Sequence, residues 1–136
     1  MKKQHKYNLI KLAIGLAKVQ EHNTPRFDMQ AYDCGSAACA IGFGQFLVTS
    51  KYTSEMWAEY SQRVFGVTDS DGSKGFWMFS SDWLLIDNTA KGAAARILYA
   101  LSRGTPRNRI TSRMAKYQEE AYAAFDRLLK EAQSHE

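Results

Sequence analysis

The sequence predicts an all-α fold, a single compact domain over residues 1–136 with five or six helices around a small-residue central helix. Three observations lead there. Apolar residues recur at three- and four-residue spacing in several separate segments, the signature of helices with one buried face. Alternation of the kind a strand needs is confined to Phe27 and Met29, too short to read as one. Residues 33–44 read Asp-Cys-Gly-Ser-Ala-Ala-Cys-Ala-Ile-Gly-Phe-Gly, the stretch poorest in bulky side chains. A chain of 136 residues buries about two thirds of its unfolded surface without staples. It holds only two prolines and no Pro/Gly/Ser-rich linker, so no second domain is expected.

The elements follow in order. A first helix is expected over 7–21, with Leu9, Leu12, Ala13 and Leu16 on one face and Asn8, Lys11, Gly15 and Lys18 on the other. It stops before the turn signal Asn23-Thr24-Pro25. Residues 26–32 then connect, with Phe27, Met29 and Tyr32 available to pin the loop to the core. Ser36 reads as the N-cap of the central helix, over 36–48, and Gly35 allows the sharp turn into it. Gly42 and Gly44 each cost about 1 kcal/mol of helix propensity, which is tolerable where another helix crosses closely.

After a polar break at 49–53, Thr53 or Ser54 caps a third helix whose buried stripe is Trp57, Tyr60 and Val64, with Gly66 as its stop. Asp69-Ser70-Asp71-Gly72-Ser73 resembles a calcium loop only superficially. Placing Gly72 at the invariant glycine of an EF-hand puts Val67 first and Met78 twelfth, where carboxylates are required, so a solvated turn is expected. The segment 76–86 is rich in large apolar residues, including Phe76, Trp77, Met78, Phe79 and Trp83, and reads as core filling, with a partner-binding hot spot as the alternative. Ser80 or Ser81 caps a short helical turn from Asp82. The next helix spans 89–104, with Ala90, Ala94, Ile97 and Leu101 inward, and Thr105-Pro106 blocks its continuation. The last spans 111–133, burying Met114, Tyr117, Ala121, Phe125, Leu128 and Ala132, with Asp126 and Lys130 a favourable i,i+4 pair.

Composition excludes several classes. Lys11 and Lys18 interrupt the apolar run near the amino terminus, so it reads as an amphipathic helix and not as an export signal. No run is long enough to span a membrane. A cytoplasmic protein with reduced thiols is therefore expected. With no Cys-x-x-Cys pair and no His-x-x-x-His pair, neither a metal nor another cofactor is expected. Two residues five apart within one helix are too far separated to bridge, and a disulfide would need Cys34 to bend back from outside the helix, so none is expected. Cys34, just ahead of a helix N-terminus, and Cys39 are the candidate nucleophiles of an enzymatic alternative. The papain-type signature fails, because Ala37 and Ala38 separate Cys34-Gly35-Ser36 from Cys39, Ala40 follows, and His135 is the sole downstream histidine.

Charge carries the best functional signal. The net charge is +4, mildly basic. Residues 89–118 hold Lys91, Arg96, Arg103, Arg107, Arg109, Arg113 and Lys116 and no acid, whereas 55–87 hold six acids against Arg63 and Lys74. Arg103, Arg107, Arg109, Arg113 and Lys116 are the candidate binding residues. An acidic protein surface is the preferred partner and a nucleic-acid backbone the alternative, with Tyr99, Tyr117 or Trp83 as apolar anchors. No homeodomain, zinc finger or RNA-binding aromatic platform is recognisable.

Cys34-Gly35-Ser36-Ala37-Ala38-Cys39-Ala40-Ile41-Gly42 resembles a Cys-Gly-Ser/Thr-x-x-Cys-x-x-Gly motif. Asp87-Asn88-Thr89 followed by Gly92-Ala93-Ala94-Ala95-Arg96-Ile97 resembles a second motif that accompanies it. Together they are similar to a family of small bacterial and phage proteins with no assigned activity, over residues 27–106. The resemblance implies a phage or prophage accessory role, such as binding and inhibiting a host protein or defence complex, and assigns no functional residues.

Overall fold

A computed structural model describes residues 2–19, 26–28, 37–49, 54–67, 79, 81–104 and 111–134. The chain begins with α1, Lys3–Ala17, which buries Leu9, Leu12, Ala13, Ile14 and Leu16. It starts four residues before the position read from the sequence. The early start is supported by Gln4, which donates to Asn8 Oδ1 at 2.9 Å on the exposed face. It also ends four residues sooner. Lys18 and Val19 N–H groups bond back to Gly15 and Leu16 carbonyls, tightening the last turn until it cannot propagate.

Two very short strands follow. β1, Arg26–Phe27, pairs in parallel with β2, Ala37–Ala38, in the register Arg26 to Ala37 and Phe27 to Ala38. This corrects the expected helix start. Ser36 lies outside the described residues, and the two alanines assigned to the helix are extended. Their backbone groups are committed to β1, so α2 begins only at Ala40 and runs to Leu47, with Cys39 as an extended N-cap. Alanine's preference for helix is a few tenths of a kcal/mol per residue over most alternatives, too little to resist a tertiary ladder.

Residues 40–45 of α2 are all buried. The close crossing falls at Gly44, where a Cβ would come within 2.9 Å of the Phe65 ring, and at Gly15 of α1, where it would meet Leu47 at the same distance. α3, Trp57–Phe65, has Met56 as its N-cap, later than Thr53 or Ser54, and ends at Gly66 in the left-handed conformation, φ 67°. Ser61 is fully buried and satisfied, its hydroxyl donating to the Val67 carbonyl at 3.2 Å.

Phe79 and Trp83 fill the core, the latter on a 3-10 helix at Ser81–Leu85, whereas Leu85 is 90% exposed. α4, Ala90–Arg103, is the helix that packs against both α1 and α5, Thr111–Gln133. It is buried almost all round. Gly92, Ala93, Ala94 and Ala95 let both neighbours approach, so the buried surface is far wider than the stripe Ala90, Ala94, Ile97 and Leu101. α4 is thus a second small-residue helix, buried between α1 and α5, while α2 is buried beside α1. α5 buries the six residues expected of it. Its i,i+4 ion pair is Arg127 with Glu131 at 3.3 Å, one position later than Asp126 and Lys130.

Candidate functional site

Two features on and beneath α4 carry functional chemistry. The first is an open cleft of about 600 Å³ between the end of α4 and the start of α5, lined by Tyr99, Arg103, Gly104, Arg113, Lys116, Tyr117 and Glu120. Gly104 ends α4 at φ 79° and turns the chain away. Its carbonyl accepts from the Tyr117 hydroxyl at 3.1 Å. Tyr117 in turn meets Tyr99 edge to face, ring centres 4.9 Å apart. A tyrosine wall bonded to the turn therefore fixes the cleft's shape.

Arg103, Arg113 and Lys116 are exposed around that wall and have no ion-pair partner among the described residues. Glu120 also lines the cleft and accepts from Tyr99 at 3.0 Å. Three cations and one carboxylate leave it net positive by two charges. Arg103 sits at the C-terminal end of α4, where the helix dipole favours a cation. Arg113 sits in the first turn of α5, which holds no acid and where a cation is disfavoured by about 0.3–1 kcal/mol. Helix electrostatics therefore account for Arg103 but not for Arg113. Arg107 and Arg109 lie outside the described residues.

Desolvation pushes the Tyr99 phenol up, with the Glu120 carboxylate adding to the effect. Burial pushes Tyr117 up strongly, and neighbouring Tyr99 adds to it. Both phenols stay neutral at physiological pH, as donors and ring surfaces and not as bases. The cleft as described is equipped to bind an anion.

The second feature is Arg96, one of the cations of the acid-free run 89–118. Arg96 is fully buried. Its guanidinium lies 4.3 Å from the centre of the buried Trp83 ring, so Trp83 is a core residue and not a surface anchor. Nη1 donates to the Asp87 carbonyl at 3.1 Å and to Gln118 Oε1 at 2.7 Å, while Nε and Nη2 have no acceptor among the described residues. Burial lowers its pKa to about 10, with Asp87 opposing the shift, so the group is charged at neutral pH. Lys91 is also diverted from the cleft, lying 6.0 and 5.8 Å from the Tyr122 and Phe125 ring centres.

Around Arg96 the loop into α4 is held by one carboxylate. Asp87 Oδ1 accepts from the Thr89 N–H at 3.1 Å and from the Thr89 hydroxyl, and Oδ2 accepts from Tyr122. Thr89 Oγ1 caps α4 by accepting from Gly92 N–H at 3.0 Å. Asn88 reaches back to Asp28 Oδ1 at 3.2 Å, beside β1, whose partner strand leads into Cys39. The two motifs singled out in the sequence therefore meet through the β1 segment. Asp87, Thr89, Gly92 and Arg96 are legible in the second motif, whereas Gln118 and Tyr122, on a distant helix, carry no sequence signal.

Cys39 is a free thiol, 4% exposed. Burial pushes its pKa up, outweighing the backbone groups of Ile41 and Gly42 at the start of α2 that act to lower it. That is the reverse of thiolate activation. Cys34 lies outside the described residues. Titration with a thiol reagent should label Cys39 slowly in the native protein and promptly in denaturant; rapid native labelling of Cys39, mapped by mass spectrometry, would revive a nucleophilic role. Among the described residues no cluster of His, Cys, Asp and Glu is arranged to hold a metal ion, and no helix is long and apolar enough to cross a membrane. No protein-family model, curated protein or solved structure matches the chain.

Proposed function

We propose that the protein is a non-enzymatic binding module that takes an acidic protein segment in the cleft between α4 and α5. The observation that carries this reading is Arg113. It is a cation exposed in the first turn of α5, against the helix dipole, with no carboxylate paired to it among the described residues. Arg103 and Lys116 extend the cationic surface, and the Tyr99–Tyr117 wall offers the flat apolar surface that anchors protein interfaces. An acidic peptide with one apolar side chain matches both features, whereas a phosphate backbone uses only the charge. The motif resemblance adds that such a partner would be a host protein and the module a phage-type accessory protein.

Fluorescence anisotropy with a labelled Asp/Glu-rich peptide containing one leucine, and with a single-stranded oligonucleotide, tests the reading. The double variant Arg103→Glu/Arg113→Glu changes exposed residues and should keep its circular dichroism spectrum. It should weaken peptide binding at least about tenfold, the effect of 1.4 kcal/mol. Peptide binding should survive moderate salt, while a nucleic-acid site would show affinity falling log-linearly with salt. A folded double variant with undiminished peptide affinity would sink the proposal.

A further inference from the structure

Among the described residues lining the cleft between α4 and α5, Glu120 is the one carboxylate, and Arg103, Arg113 and Lys116 are the cations. Lys116 stands one turn before Glu120 on α5, and Arg113 three residues before that, so the three share one face of the helix. Glu120 nevertheless makes no ion pair among the described residues. It accepts instead from a neutral donor, the Tyr99 hydroxyl, through Oε2 at 3.0 Å. A carboxylate offers about four lone-pair sites, so Oε1 and one site of Oε2 are left to accept. Helix electrostatics do not account for this acid either. Glu120 lies in the middle of α5, beyond the first turn, where the dipole favours an anion.

We propose that Glu120 is a specificity-determining residue of this cleft, and that the acidic segment bound there carries one arginine two residues from a carboxylate. The inference rests on the reading of the cleft as a site for an acidic protein segment. The charges are ordered along α5, with Arg113 and Lys116 ahead of Glu120. From Lys116 to Glu120 the helix rises roughly 6 Å, at 1.5 Å per residue. An extended chain sets its i and i+2 side chains on one side, roughly 6–7 Å apart. A carboxylate of the segment then meets Arg113 and Lys116 while its arginine meets Glu120. Arginine suits this place because its planar fork takes two acceptors, and Oε1 of Glu120 is outside the Tyr99 bond. The same carboxylate works against the wrong occupant. An unbroken run of acids, or a nucleic-acid backbone, sets negative charge against Glu120 with no cation between, and like charges placed together cost affinity.

The test measures the full chain by fluorescence anisotropy against two labelled peptides. Both are rich in Asp and Glu and contain one leucine. One carries an arginine two residues from a glutamate, and the other a glutamine in its place. The arginine makes its peptide less acidic, so a cleft that reads net charge alone binds that peptide more weakly. The parent protein should instead bind it about three- to fivefold more tightly, the scale of an exposed ion pair with good geometry. Glu120→Gln removes the charge while keeping an acceptor for the Tyr99 hydroxyl. It should reverse the order, weakening the arginine peptide and strengthening the glutamine peptide. A parent protein with no preference for the arginine peptide, or a Glu120→Gln variant that retains that preference, would overturn the proposal. Arg103→Glu/Arg113→Glu tells the two readings apart. If this folded variant loses both peptides while the parent protein shows no preference for arginine, the acidic-segment reading stands and the role of Glu120 falls. If it holds both as tightly as the parent protein does, both readings fall.

Discussion

Replacing Arg96 with alanine should lower the stability of the protein by about 3–5 kcal/mol, the range seen when one member of a buried charged network is removed. The side chain is fully buried and stacked on Trp83. Alanine opens a cavity against that ring and leaves Gln118 Oε1 and the Asp87 carbonyl without their donor. Arg96→Met should cost much less, about 1–2 kcal/mol, because it keeps an unbranched stem on the indole and removes two buried nitrogens that have no acceptor among the described residues. Urea denaturation midpoints of the two variants check the ordering, and equal losses would show that the charge itself, not the packed stem, holds the site.

The same pair of proteins gives a pH prediction with a definite sign. The folded-state pKa of Arg96 is lowered from the ordinary arginine value to about 10, so the buried guanidinium loses its proton before the unfolded one does. Between those values the unfolded state binds more protons, and this group's contribution raises stability as pH rises. Tyr117 and Tyr122 act oppositely. Their folded pKa values are raised, mainly by burial, so their contribution falls as pH passes the ordinary tyrosine value of 10. Both proteins contain these tyrosines. The stability difference between the parent protein and Arg96→Met should therefore shift in favour of the parent above about pH 10, and a difference that stays flat or moves the other way contradicts the assignment of the shift to Arg96.

Gly92→Ala should destabilise by about 2–4 kcal/mol, against the gain of about 1 kcal/mol that helix propensity alone assigns to it. A Cβ at this position would stand 2.6 Å from Asp87 Cγ and 3.0 Å from Thr89 Oγ1. The Asp87 carboxylate would have to leave, abandoning the Thr89 N–H, the Thr89 hydroxyl and the Tyr122 hydroxyl together. A double-mutant cycle isolates the cause. In an Asp87→Ala background the clash with the carboxylate is gone and only the 3.0 Å contact with Thr89 Oγ1 remains, so Gly92→Ala should lose most of its cost. Equal destabilisation in both backgrounds would place the obstruction elsewhere.

The sequence by itself determined those features whose cause is local. Thr89 caps α4 because its hydroxyl reaches the N–H three residues on, Gly66 ends α3 because only a residue at ease in the left-handed region continues from there, and the spacing of apolar residues in α5 names its buried face. The exposed cations of the cleft were legible for the same reason, since a run without acids is visible in one dimension. Tertiary structure decided the rest. Ala37 and Ala38 became a strand because their partners lie eleven residues upstream, and no local preference encodes that ladder. Arg96 has the same letter as Arg103, yet one is stacked in the core on Trp83 and the other stands in solvent. Gln118 and Tyr122 join the site from α5, as distance along the chain hides what distance in space brings together. An arginine's role depends on what surrounds its guanidinium, and only the packing of α4 between its neighbours supplies those surroundings.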